Sequence, residues 1–600
     1  MTIFTTRPEL VGTFGAVAST HYLASACGMS VLEEGGNAFD AAVATAFVLQ
    51  VVEPHLNGPG GDMPLIFRKG DAPPQVLCAQ GVAPAAATIE HYTDLGLDVV
   101  PGTGLLAPVV PGAVPGWLTL LRDHGTRTPR QVMRFAIEYA NAGHPIIAGA
   151  ARTISVMADY FTTSWPTSAA QWLIDGRAPL TGQIVMNRQL AHTFDRLCND
   201  AEAVGNDREA QCDAAIAAFS QGFVAEAIGE FVKSPVADSS GDSHAGVITA
   251  HDMASWSPSY ETPLSLNWRG NQVFKCDSWS QGPVLLAQLA LLDGLLPESL
   301  ADFEAAHIHQ VVESTKLAFA DRDAFCGDSL DEPLDISGLW DQRYIDQRHS
   351  LITDDASLEL RPGQLAGLIG TLPDAVRRKT EYQPGKPGQT VAGVGEPTID
   401  RKDATRGDTC HLDIVDRWGN VVSATPSGGW LQASPTIPSL GLCLGSRLQM
   451  TWLEEGLPTS LRPGRRPRTT LTPSLMIDQN GRTTAFGTPG GDQQDQWQLV
   501  FLLNRVLRQS NLQESIDAPA WHSSAVISSF DPRVWEPGVL DIESRFASRV
   551  LDGLIDRGHR LRVAGDWALG RMSAAMWDPH NGTVSAAANA RGMQGYAIAR

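Results

Sequence analysis

One stretch, residues 407–429, constrains the fold of this chain more than any other. It reads Gly-Asp-Thr-Cys-His-Leu-Asp-Ile-Val-Asp-Arg-Trp-Gly-Asn-Val-Val-Ser-Ala-Thr-Pro-Ser-Gly-Gly. Cys410, Leu412 and Ile414 alternate with His411 and Asp413, the period-2 signal of a half-buried strand. Gly419-Asn420 signals a turn. Val421, Val422 and Thr425 then resume with β-branched residues. Folding this hairpin about Trp418 sets Thr409 opposite Ser427. A pair of small hydroxyls therefore stands at its open end, with Asp408 just before and two glycines just after.

A threonine hydroxyl is a weak nucleophile at neutral pH unless a base stands beside it. The α-amine of a chain-terminal threonine is such a base. Its reference pKa is about 7.7–8.0, so a useful fraction is neutral at working pH. Thr409 lies inside the chain, so this chemistry requires cleavage of the Asp408–Thr409 bond. Residues 370–408 are polar, rich in Pro and Gly, and lack periodicity; they read as a linker of the kind that cleavage needs. Taken alone, the hairpin also fits an ordinary surface position.

A second hairpin follows, with strands at 474–477 and 483–487 around a turn at 478–481. It sets Thr469 and Thr470 near Pro489 and Gly490. Gly490 and Gly491 then lead into a helix starting near Asp492. Free N–H groups at a helix start point outward and can stabilise the oxyanion of acyl transfer; a plain strand-to-helix turn fits as well. The glycine-rich segment 57–62 matches neither a P-loop nor a dinucleotide fingerprint and reads as a structural turn near the cleft. Residues 19–67 read as strand, helix, strand, with the short strand at His21 and its helix ending at Gly35-Gly36. The apolar run 38–52, capped by Gly36-Asn37, reads as a helix buried on all sides. Further helices are expected at 117–124, 129–142, 187–197, 210–231 and 305–325. His307 and His309 form an H-x-H, but H-E-x-x-H and paired cysteines are missing. No metal and no cofactor are expected, and no G-x-S-x-G elbow occurs.

Of the 600 residues, 43% are hydrophobic and 18% charged, a globular composition. The net charge of −21 argues against nucleic acid, which needs a basic patch. The N-terminal residues show no apolar signal region, and the longest apolar run is too short to span a bilayer. Eight scattered cysteines suit reduced thiols. A cytoplasmic location without membrane attachment is therefore expected.

"GDTCHLDIVDRWGNVVSAT" resembles the maturation site of the γ-glutamyltransferase family, in the N-terminal-nucleophile (Ntn) hydrolase superfamily. "GGNAFDAAVATAFVLQVVEPHLNGPGGD", "VPGAVPGW", "VVESTKLAFADRD" and "RPRTTLTPSLMID…AFGTPGGD" are similar to further signatures of that family, in the same order. The resemblance implies an α+β fold, a four-layer αββα sandwich with two stacked antiparallel sheets between helical layers. It implies self-cleavage into a large fragment, 1–408, and a small fragment, 409–600, within one globular unit. Thr409 would attack an amide carbonyl, with Ser427 hydrogen-bonded to it and the Gly490 and Gly491 amides on the oxyanion. Thr469 and Thr470 stand where the family has two serines on the donor carboxylate, and Gln449 is kept from the donor pocket.

The amino-acid head-group elements depart from that pattern. The arginine for the donor α-carboxylate falls on Ile89, the acidic pair for the α-amine on Thr451-Trp452, and an asparagine on Gly429; the lid at 457–464 is short. Arg447, two residues before Gln449, changes the local sign of charge and could fork onto a compact anionic donor; its alternative partners are Glu454 and Glu455. The expected activity is amide hydrolysis on a small carboxylated donor of the oxamate type. The alternatives are a γ-glutamyl hydrolase or transferase, a cephalosporin-type acylase, and a binding protein that never matures. Expected partners are a small amide, the two fragments of one chain, and a second copy in a homodimer.

Overall fold

The computed structural model describes residues 4–332, 334–378, 409–531, 533–593 and 595–600. Two seven-stranded sheets face each other. The first runs, edge to edge, Tyr596–Ala599, Gly15–Ser19, Leu412–Asp416, Val421–Ala424, Met63–Arg68, Gln75–Ala79 and Ser259–Glu261. The second runs Leu10–Gly12, Thr583–Ala588, Ser573–Asp578, Thr483–Gly487, Ser474–Ile477, Asn271–Lys275 and Leu264–Trp268. Neighbouring strands are antiparallel throughout both.

The apolar clusters define the layers. Val17, Leu412, Ile414 and Val422 pack outward against the helices Tyr22–Glu33 and Ala38–Val52. Between the sheets, Ala16, Val415 and Val421 meet Leu475, Ala485 and Ala575. On the far side, Met476, Phe486 and Ala574 pack on the helices Pro283–Leu292 and Gln494–Leu507. The result is the αββα sandwich. Each sheet contains strands from before residue 378 and from after residue 409, so segments 4–378 and 409–600 share ladder hydrogen bonds and form one unit.

Both hairpins form at the expected places. The strands Ser474–Ile477 and Thr483–Gly487 have the expected bounds, and Pro129–Ala142 and Ala305–Phe325 are helices as read. The first hairpin is not half-buried: every residue of Leu412–Asp416 and Val421–Ala424 is buried, because the central strands of a sandwich are covered on both faces. The surface alternative therefore falls. Its alternation instead sorts Leu412 and Ile414 to the helical layer and leaves His411 and Asp413 for the space between sheets. The strand expected at His21 lies earlier, at Gly15–Ser19, and His21 caps the helix Tyr22–Glu33, its Nδ1 accepting from the Leu23 amide at 3.1 Å. The segment 210–231 divides at Gln221-Gly222 into two helices. The Ala38–Val52 helix is buried all round and carries a capping box between Asn37 and Asp40. Most of the expected linker, with Asp408 of the cleavage site, lies outside the described residues; its first part ends in a short helix, Asp374–Arg378.

Candidate active site

Strand register brings the two hydroxyls together. The pairs from Leu412↔Ala424 to Val415↔Val421 continue to a bridge between Thr409 and Ser427. Thr409 Oγ1 and Ser427 Oγ stand 3.2 Å apart, and Thr409 is 1% exposed. The turn that closes the hairpin is held by Asp416, whose carboxylate accepts from the amides of Trp418 at 2.9 Å, Asn420 at 3.0 Å and Ala38 at 2.8 Å. The last of these is the first residue of the buried helix, so hairpin and helix are fixed to each other.

The glycine-rich segment 57–62 is a structural wedge beside the hydroxyl pair. Asp62 and Ser427 exchange both ladder bonds, at 2.8 and 3.0 Å, and the Gly445 amide donates to Gly60 O at 3.1 Å. The approach is close enough to explain Gly429. Its φ is +67°, and a Cβ there would sit 2.9–3.1 Å from the backbone of Gly60 and Gly61. No asparagine fits there without moving that wedge.

Beneath Thr409, His411 and Asp413 join a buried polar chain between the sheets. A carboxylate only accepts, so His411 donates from Nε2 to Asp413 Oδ1 at 2.9 Å, and its Nδ1 accepts from Thr425 Oγ1 at 2.9 Å. Asp413 also accepts from Ser423 at 3.0 Å and from Ser573, on the opposite sheet, at 2.9 Å. These are more than alternating strand residues: they pin the strand that follows Thr409 to the second sheet.

The second hairpin carries the glycines. Its register, Ser474↔Phe486, continued by four positions, sets Thr470 opposite Gly490. Gly490 has φ +128° and starts a short 3₁₀ turn, Gly491–Gln493, ahead of the helix Gln494–Leu507. No acceptor among the described residues takes the amide of Gly490 or Gly491. Thr470 Oγ1 is likewise buried without a partner, whereas Thr469 Oγ1 accepts from the Leu471 amide at 3.2 Å.

This turn rests on buried charge that the sequence reading missed. Asp492 pairs closely with Arg322 and accepts from Ser529 N at 2.8 Å and Ser529 Oγ at 2.6 Å. Burial works against the Asp492 carboxylate, yet Arg322 and Ser529 outweigh it and hold its pKa below the ordinary value. Gln281 accepts from Arg322 at 2.9 Å and donates to Gly491 O at 3.3 Å. Arg468 joins Asp323 at 2.9 Å and Ser529 at 3.1 Å. One turn of helix later, burial lifts Asp495 to about 6 despite Lys275 at 2.9 Å.

Arg447 does not offer its fork. Nε and Nη2 grip the two oxygens of Asp62 at 2.8 and 2.9 Å, and neither Glu454 nor Glu455 is its partner. The acid most able to neutralise it lies 385 residues earlier, beyond any local reading. Gln449 is also engaged, donating to Ser446 Oγ at 2.8 Å and Gly102 O at 3.3 Å. Gly428, Trp430, Arg447, Gln449 and Phe530 line a small cavity beside the hydroxyl pair. Trp452 is buried with its ring under the guanidinium of Arg533, 4.3 Å away.

His309, Glu313 and His559 come within metal-binding reach of one another. Glu313 is already paired with Lys316 and with Arg361 at 3.0 Å. His309 is committed to His559 at 2.9 Å and to Thr353 O at 2.8 Å. The trio reads as a structural network, and His307, the other histidine of the H-x-H, caps its own helix.

Comparison with known proteins follows the same lines. A family model described as Gamma-glutamyltranspeptidase matches residues 24–599. The oxamate amidohydrolase proenzyme of Klebsiella pneumoniae subsp. pneumoniae is 28% identical over 596 residues, covering 97% of this chain and 98% of that protein. The solved structure of LmbA2991HD is 49% identical with a TM-score of 0.92, each chain covered in full. The cephalosporin acylase from Bacillus halodurans shares the fold, with a TM-score of 0.80, 23% identity, and coverage of 100% of this chain and 98% of that one.

Proposed function

The chain belongs to the gamma-glutamyltranspeptidase family of self-processing hydrolases and acyltransferases, and we propose that its Thr409 opens the amide of a small carboxylated donor of the oxamate type. The observation that carries this reading is the buried Thr409–Ser427 hydroxyl pair at 3.2 Å, on one hairpin, with the unpartnered Gly490 and Gly491 amides at the end of the other.

Cleavage of the Asp408–Thr409 bond frees the α-amine of Thr409. That amine takes the hydroxyl proton as Oγ1 adds to the donor carbonyl. The negative charge that develops on the carbonyl oxygen is met by the Gly490 and Gly491 amides, held ready by the anchored Asp492 and so needing no reorganisation. Ser427 orients Thr409 Oγ1. Collapse expels ammonia or an amine, and water then releases the acyl group.

A small anionic donor is favoured over a γ-glutamyl one by the positions where the family's head-group residues fall. Ile89, Thr451 and Trp452 are neutral there, and a donor α-amine buried against them would lose its water without an anion to replace it. The N-terminal sequence of the smaller fragment tests the reading: it should start at Thr409, and Thr409→Ala should remain a single inactive band. A fragment starting elsewhere would sink it. Hydrolysis of γ-glutamyl-p-nitroanilide should be weak beside that of oxamate.

A further inference from the structure

Arg533 is a buried arginine with no carboxylate in hydrogen-bonding contact among the described residues. It is 6% exposed, and among the described residues its only hydrogen-bond acceptors are two carbonyls on Nη2: Gln449 O, and Thr451 O at 2.9 Å. Arg322, Arg447, Arg468 and Arg591 are equally buried, and each faces an Asp or Glu. A buried cation with no anion in contact is costly. Burial, with Arg468 nearby, lowers Arg533 to about 9, although Asp323, Asp492 and Asp531 act in the opposite direction. The backbone carries a second cost: φ at Arg533 is +60°, a left-handed conformation that non-glycine residues rarely hold. Nε and Nη1 donate to nothing among the described residues, yet they are absent from the sealed, unpartnered atoms. The residual exposure therefore includes the unused edge of the guanidinium.

Its neighbours reach the cavity beside Ser427. The Arg533 amide donates to Phe530 O at 2.7 Å, and Phe530 and Gln449 line the cavity that reaches Gly428, the neighbour of Ser427. At the other end of the same segment, Ser529 binds Asp492, the residue after Gly491. Ser529 and Phe530 thus join the glycine turn to the wall of the cavity, and Arg533 is hydrogen-bonded to two residues of that wall, Phe530 and Gln449. The positive charge that the sequence placed on Arg447 is neutralised there by Asp62; Arg533, among the described residues, has no carboxylate in contact.

We propose that Arg533 is the seat of the donor's carboxylate, which it binds through Nη1 or Nε. Both Nη2 protons are spent on carbonyls, so neither fork of the guanidinium is complete. The contact is a charge-assisted bond rather than a bidentate clamp. The inference rests on the Thr409 reading for its chemistry but is measured apart from it. Wild type, Arg533→Gln and Arg533→Lys are first run on denaturing gels, then titrated with oxamate and with its uncharged analogue oxamide. Wild type should prefer oxamate. Arg533→Gln should weaken oxamate about 10–100-fold and change oxamide less than about 3-fold. Arg533→Lys, which keeps the charge but shifts it, should fall between and decides the matter where Arg533→Gln does not fold. Equal losses for both ligands, an unchanged preference, or a wild type that does not prefer oxamate overturns the proposal. An unprocessed wild type overturns the Thr409 reading instead, and leaves the ligand preference to be read on the same sample.

Discussion

The two sides of the site are held by different physics. The hydroxyl pair is joined across 18 residues by the register of one hairpin, and the glycine turn follows from the register of another. The cavity side is joined by a buried ion pair, Asp62 with Arg447 across 385 residues; a second, Arg322 with Asp492 across 170, anchors the glycine turn after register has placed it. Register is dictated by neighbouring residues and a turn. A buried ion pair is dictated by the whole fold, and each partner exists only to neutralise the other. Where register rules, side chains can be spent on chemistry. Where charge pairs rule, most polar groups are already engaged, and the few that are not become informative.

Arg447→Ala tests that contrast with the largest expected effect. Removing one partner strands Asp62 in a buried site, at a cost of about 3–5 kcal/mol in stability. The denaturation midpoint in urea should fall with the slope unchanged, and Arg447→Met with Asp62→Asn should recover much of the loss. Full stability with a selective loss of oxamate turnover would return Arg447 to the role the sequence suggested. Gly490→Ala probes the register side. Its φ of +128° excludes a side chain, and a Cβ would lie 2.4 Å from the Trp497 ring. The turn must shift, and with it an oxyanion donor, a loss of about 2.7–4 kcal/mol in kcat. A kcat within about 3-fold of wild type would remove that amide from the mechanism.

How much could be read beforehand divides along the same line. Thr409 opposite Ser427 was legible because period-2 alternation and one Gly-Asn turn specify register. Burial was not: the same alternation describes a strand with one wet face and a strand between a sheet and a helical layer. Asp62 was not legible as the partner of Arg447, because the acids nearest Arg447 in sequence, Glu454 and Glu455, are not its nearest in space. Asp492 had a signal, an acid beside Gly-Gly at a helix start; Arg322 lay in the signature VVESTKLAFADRD, which does not point to its partner, and Ser529 had none. Arg533 sits in an Asp-Pro-Arg segment that resembles any surface loop. Its strain and burial exist only in three dimensions.

The smallest expected effect belongs to Ser427→Ala. The hydroxyl lies 3.2 Å from Thr409 Oγ1, a long O–H···O contact, and both groups are neutral. The backbone of Ser427 is held independently by Asp62 through two ladder bonds, so the alanine variant should keep the hairpin, the register and the position of Thr409. Loss of the orienting bond to Thr409 costs about 0.5–1.5 kcal/mol, which corresponds to about 2–12-fold in kcat. KM for oxamate should hardly change, because the carboxylate is held elsewhere. Steady-state kinetics on fully processed protein separates the two parameters. A loss beyond about 100-fold would mean that Ser427 moves a proton in the reaction, and that the register side, like the cavity side, depends on a partner it cannot replace.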